Sequence, residues 1–213
     1  VRPGWGRFYA EAKTQELIAG TAPLGEALTY LVDLPLDPKG KPPKFNKKLG
    51  VVLFARTVPG HPGELQLIAP DAQLPWDAAL DARLRGVLKE LYAADAPPPI
   101  AGVREVAHVA GNLAGAGETQ LFLVTRTGAP AAATVVRRPG QEPQWSVSFG
   151  ELVASAQPAP ARETLAWYRL ACFLPAQLPV AANISADEAD RAAAGQDYAW
   201  MMQQLGPCPR TRP

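Results

Sequence analysis

Two histidines and two cysteines are the most reactive side chains in this chain of 213 residues. A hydrolytic site needs a nucleophile, a base and an oxyanion donor within reach of one another. His61 sits between Gly60 and Pro62, where a solvated imidazole at a loop tip is expected. His108 lies in Glu105-Val106-Ala107-His108-Val109, which reads as a strand. A half-buried ring there is expected to find a backbone partner. No Gly-x-Ser-x-Gly elbow is present. A glycosidase pair would have to come from Glu64, Asp71, Glu105, Glu118, Glu142 and Glu151, and nothing in their spacing singles out two of them. Glu151 reads as a first-turn carboxylate of a short helix through Leu152 and Val153. Gly111 to Gly117 is glycine-rich, but a strand follows it, whereas a phosphate cradle needs a helix amino end. No catalytic residue, cofactor site or metal site is therefore assigned.

Cys172 lies in the apolar run Leu170-Ala171-Cys172-Phe173-Leu174, and Cys208 lies between Pro207 and Pro209. A cysteine flanked by prolines is no helix core residue. A disulfide between the two would fasten the tail to the preceding helix. Neither cysteine has a second ligand at zinc spacing. Disulfides persist in oxidising compartments, so the pair points to the periplasm or to secretion. The chain begins at Val1, which is expected to reflect processing or trimming.

Two surfaces stand out for recognition. Lys39, Lys41, Lys44, Lys47 and Lys48 crowd one loop around Phe45, with Pro42 and Pro43 holding it extended. Such a loop suits an anionic surface or an acidic protein face. The run Trp200-Met201-Met202 and the pair Trp167-Tyr168 put bulky groups on more than one helix face. A one-sided helix cannot bury all of them. Lys44, Phe45, Lys47, Lys48, Trp200 and Met201 are the expected partner-binding residues.

Composition narrows the class. Net charge is +1 and charged residues are 19% of the chain, below the roughly 25% of ordinary soluble domains. A nucleic-acid binder is not indicated, because such domains carry a clearly basic face. No apolar run reaches the length needed to span a bilayer.

Turn residues and periodicity place the elements. Trp5, Phe8, Ala12 and Leu17 predict a first helix ending at Gly20. Strands are predicted over 27–34, 50–58 and 64–69, with a five-residue connection over 59–63. Trp76, Leu80, Leu84, Val87, Leu88 and Leu91 predict an amphipathic helix. Pro97, Pro98 and Pro99 form a stiff connector. A four-strand meander follows over 103–110, 119–127, 131–138 and 144–149, then helices over 162–174 and from a capping box at Ser185 to Gly206. The expected class is α+β, in the order α-βββ-α-ββββ-α-α. Its seven strands fall in two antiparallel groups, with helices on one face. A single compact unit is expected, with two halves, 1–95 and 101–213, as the alternative. The first half of this order is similar to the layout of bacterial secretion chaperones, although those are commonly acidic and cysteine-poor.

The resulting expectation is a non-enzymatic extracytoplasmic protein, acting as an interaction or accessory subunit of a bacterial envelope complex. Two alternatives stay open: a small carboxylate-dependent hydrolase or carbohydrate-active enzyme, and a module that binds an apolar ligand.

Overall fold

A computed structural model of the chain describes residues 1–44, 48–150 and 156–208. They form an α+β protein that divides into two compact units, Val1–Leu88 and a second beginning at Lys89.

In the first unit, β1 (Trp5–Lys13) and β2 (Ala27–Pro35) pair antiparallel over nine residues each. Next come β3 (Val51–Leu53), β4 (Ala55–Val58), β5 (His61–Leu67) and β6 (Gln73–Pro75). One sheet has the order β1-β2-β5-β4, and β3 pairs with β6 in a separate ribbon. The β2–β5 pair is parallel, so this sheet is mixed. Tyr30, Val32, Leu67 and Ala72 form the core, with Phe8, Ala10 and Ala12 packed against it. The helix α1 (Ala78–Leu91) follows.

The second unit is built on a five-stranded antiparallel meander. Its strands are β7 (Ile100–Ala110), β8 (Gly117–Thr125), β9 (Ala132–Arg137), β10 (Gln144–Ser148) and β11 (Gln157–Pro158), in the order β11-β10-β9-β8-β7. Among its described residues two α-helices, α2 (Leu165–Ala171) and α3 (Glu188–Leu205), and a short 3-10 helix, Val180–Ala182, complete it. The buried stripe of α3 is Ala194, Asp197, Tyr198, Met201 and Leu205, a three- and four-residue spacing that keeps one helix face on the sheet. Leu121, Val135, Val147 and Leu170 complete that core. Asp187 caps α3 by accepting from the Asp190 amide at 2.8 Å. Gly206, at φ 69°, ends it. Cys172 and Cys208 form a disulfide with Cα atoms 5.1 Å apart, fastening the end of α2 to the residues after α3.

Several expectations are corrected. The segment read as the first helix is β1. From Gly6 on, its even positions are half-buried and its odd positions Arg7, Tyr9, Glu11 and Lys13 are exposed, a period of two that pairing with β2 selects over the three- to four-residue spacing. The likeness to the secretion-chaperone layout loses its first element with that helix. The predicted strand 50–58 breaks at Phe54. The Phe54 amide bonds to Ala72 O at 3.0 Å and its carbonyl accepts from the Ile68 amide at 2.9 Å, so β3 and β4 join different sheets. The connection after β4 is tighter than predicted, since Val58 faces His61 across Pro59-Gly60. Gly60 has φ 78°, as a two-residue turn of this kind demands. The strands β6 and β11 were not anticipated. Ser185 does not cap α3 and is buried instead. The expected helix through Leu152 and Val153 lies outside the described residues.

Candidate functional site

The polar side chains that the fold brings together are His108, Thr119, Arg137 and Asp197, on β7, β8, β9 and α3. Asp197 and Thr119 are fully buried and His108 is 8% exposed. The Thr119 hydroxyl donates to Asp197 Oδ2, and Arg137 Nε donates to Asp197 Oδ1. With its proton committed, Thr119 Oγ1 meets His108 Nδ1 at 2.8 Å as an acceptor, which assigns the imidazole proton to Nδ1. The His108 amide donates to Ser185 Oγ at 3.0 Å. Ser185 Oγ in turn donates to Asn183 Oδ1 at 2.8 Å. Gly117 lies under the imidazole: a Cβ there would fall 2.6 Å from His108 Cε1, so a side chain at this position would expel the ring.

This arrangement can orient and fasten. A buried carboxylate is costly unless paired and hydrogen-bonded, and Asp197 is both. Among the described residues every buried side-chain nitrogen and oxygen has a partner. Three strands and α3 are thereby fixed in register through one carboxylate. His108 was read as a strand histidine with a backbone partner, and its imidazole partner is the Thr119 hydroxyl. Thr119, Arg137 and Asp197 were missed. The available signal was Asp197 itself, a charged residue on the apolar stripe that carries Tyr198 and Met201, where a buried partner is obligatory.

Four of the carboxylates considered for a hydrolytic pair each have a different neighbour, and Glu151 lies outside the described residues. Glu64 lies 3.6 Å from His61, Asp71 accepts from Arg2 at 2.8 Å, Glu105 lies 4.0 Å from Arg104, and Glu118 accepts from Gln120 at 2.9 Å. His61 and Glu64 line an open hollow of about 310 Å³ with Leu24, Leu28 and Leu65. The described residues include no cluster of three or more His, Cys, Asp or Glu suited to a metal ion.

The expected interaction residues separate. Lys39, Lys41, Lys44 and Lys48 are exposed. Asp37 Oδ1 shapes the start of their loop by accepting from the Lys39 and Lys41 amides, both at 2.8 Å. Phe45 and Lys47 lie outside the described residues. Trp200 is half-buried against the core of the second unit. Met201 is fully buried there and has no surface to offer a partner, because the α3 stripe that packs on the sheet runs through it.

The helix with the clearest amphipathic sequence is α1. None of its residues is buried. Leu80, Leu84, Val87 and Leu88 are half-buried, and Leu91 is exposed. Trp76 before it and Tyr92 after it are 51% and 72% exposed. Asp81 accepts from Arg85 Nε at 2.9 Å, and Arg85 Nη2 donates to Glu16 at 2.7 Å. The Arg85 guanidinium holds the Asp81 carboxyl below its usual range.

No protein-family model, curated protein or solved structure matches the chain. No helix among the described residues is long and apolar enough to cross a membrane.

Proposed function

We propose that this protein is a non-enzymatic extracytoplasmic interaction module, an accessory or assembly subunit of a bacterial envelope complex. One observation carries the reading: the apolar stripe of α1 has no buried residue, and its flanking aromatics Trp76 and Tyr92 are exposed. A stripe of this kind ordinarily packs on a core. Exposed aromatic groups with an apolar stripe between them match the composition of interface cores. The lysine loop supplies a cationic region on the same polypeptide. The disulfide supports an oxidising compartment.

The test is purification of the native protein from its own cells, with stoichiometric companions identified. Tyr92→Ala, and separately the triple alanine variant at Lys44, Lys47 and Lys48, should each weaken retention of the companion. The melting temperature should hardly move, because the described members of both sets are exposed. A protein that purifies alone, or a companion indifferent to both variants, refutes the proposal.

A further inference from the structure

We propose that β1 pairs antiparallel with β1 of a second copy of this chain, in a register centred on Tyr9. This strand ends its sheet. Its ladder to β2 is bracketed by Leu36 N to Gly4 O and by Thr14 N to Glu26 O, both 2.8 Å. The register pairs Trp5 with Pro35 through Lys13 with Ala27. Hydrogen-bonded pairs alternate along an antiparallel ladder, so the even-numbered residues of β1 bond to β2. The backbone groups of Arg7, Tyr9, Glu11 and Lys13 point away from it. A nine-residue edge of this kind is a template for another strand.

Side-chain order then selects the occupant. About a two-fold axis at Tyr9, Arg7 faces Glu11 of the second copy and Glu11 faces its Arg7. Tyr9 faces Tyr9, and Lys13 faces Trp5. On the other face Phe8 meets Ala10 and Gly6 meets Ala12, so no two large side chains are opposed. Sliding two residues one way puts Arg7 against Lys13. Sliding two the other way puts Glu11 against Trp5 and Phe8 against Phe8. Opposite charges directly across a strand pair stabilise it and like charges do the reverse. Arg7 already donates to Asp33 from Nε at 2.7 Å and from Nη2 at 3.0 Å, so Nη1 is the donor available to an acceptor on the next strand. A row Asp33–Arg7–Glu11 would run across the joint. Beside it, Tyr9 and Leu31, exposed at 65% and 54% and paired in register, would continue into the same pair of the second copy. Charges on an edge strand commonly serve to repel other strands; here their order is self-complementary in one register.

The experiment is sedimentation equilibrium on the full chain, with three variants. The native protein should sediment at twice its 22.7 kDa mass. Tyr9→Pro removes an outward amide and leaves the bonds to β2 in place, so it should give a monomer with unchanged circular dichroism. Tyr9→Cys lies on the axis, and its two sulfurs should bridge under mild oxidation. Glu11→Cys should not, because the two copies of that residue sit about 14 Å apart, four residues of strand rise. A native chain that stays monomeric up to about 1 mM overturns the proposal. So does a dimer that survives Tyr9→Pro, or Glu11→Cys bridging as fast as Tyr9→Cys. If Tyr9→Pro does not fold, the two cysteine variants decide. Protection of the β1 amides only when another protein is added would assign the edge to a foreign strand and overturn it as well.

Discussion

Replacing Asp197 by alanine tests whether the buried polar cluster holds the second unit together. The carboxylate has no exposure and accepts from both Thr119 and Arg137. Its removal leaves the Thr119 hydroxyl in the core without its acceptor and strips Arg137 of its counter-charge. Removing one partner of a buried ion pair costs about 3–5 kcal/mol. The Arg137 side chain is 35% exposed, so water recovers part of its loss, and the lower end, about 3 kcal/mol, applies. For a unit of this size that is a fall of roughly 10 °C in melting temperature. Asp197→Asn keeps the shape and one acceptor but turns an amide N–H2 toward a group that donates to the carboxylate, so it should recover only part of the loss. Thr119→Val removes the bridge from the other side. In the double variant the two losses should fall short of additivity by about 1 kcal/mol or more, since each single change orphans the group that the other removes. Urea unfolding followed through the fluorescence of Trp145 and Trp167, both buried in this unit, measures all four chains. A cost below about 1 kcal/mol for Asp197→Ala, or strict additivity with Thr119→Val, would refute the role given to the carboxylate.

Breaking the Cys172–Cys208 bridge with a double serine variant should lower the stability of the second unit by about 4 kcal/mol, the loop-closure value for its sequence separation of 36. The same urea titration measures it, and a loss under about 1 kcal/mol would show that the tail contributes little. In the first unit the Arg7 guanidinium lowers the Asp33 carboxyl below its ordinary value. A depressed carboxyl adds stability above its unfolded value of about 4, and that contribution disappears as pH falls through the folded value. The gap in melting temperature between the native chain and Asp33→Asn should therefore be full at neutral pH and close on acidification; a gap independent of pH would discount the pair.

The elements that depend on local chemistry were legible in the chain. Gly206 closes α3 because only a glycine accepts its backbone at φ 69° without strain. The meander strands announce themselves through short turns and alternating residues. The cysteines could be paired because a residue between two prolines has few other uses. Elements that depend on distant residues were not legible. The segment Trp5–Lys13 satisfies both a helical and a strand period, and its nine-residue partner in β2 decides between them. Phe54 divides one apolar run because backbone groups at Ile68 and Ala72 claim it. The same limit governs the sites. Exposed lysines could be found by counting charge, but Met201 changes from surface candidate to core residue once α3 meets the sheet. Asp197 finds Thr119 across 78 positions of sequence. Composition and spacing thus fixed which side chains needed partners, whereas only the packing of strands and helices supplied them, since desolvation and pairing are properties of neighbours in space.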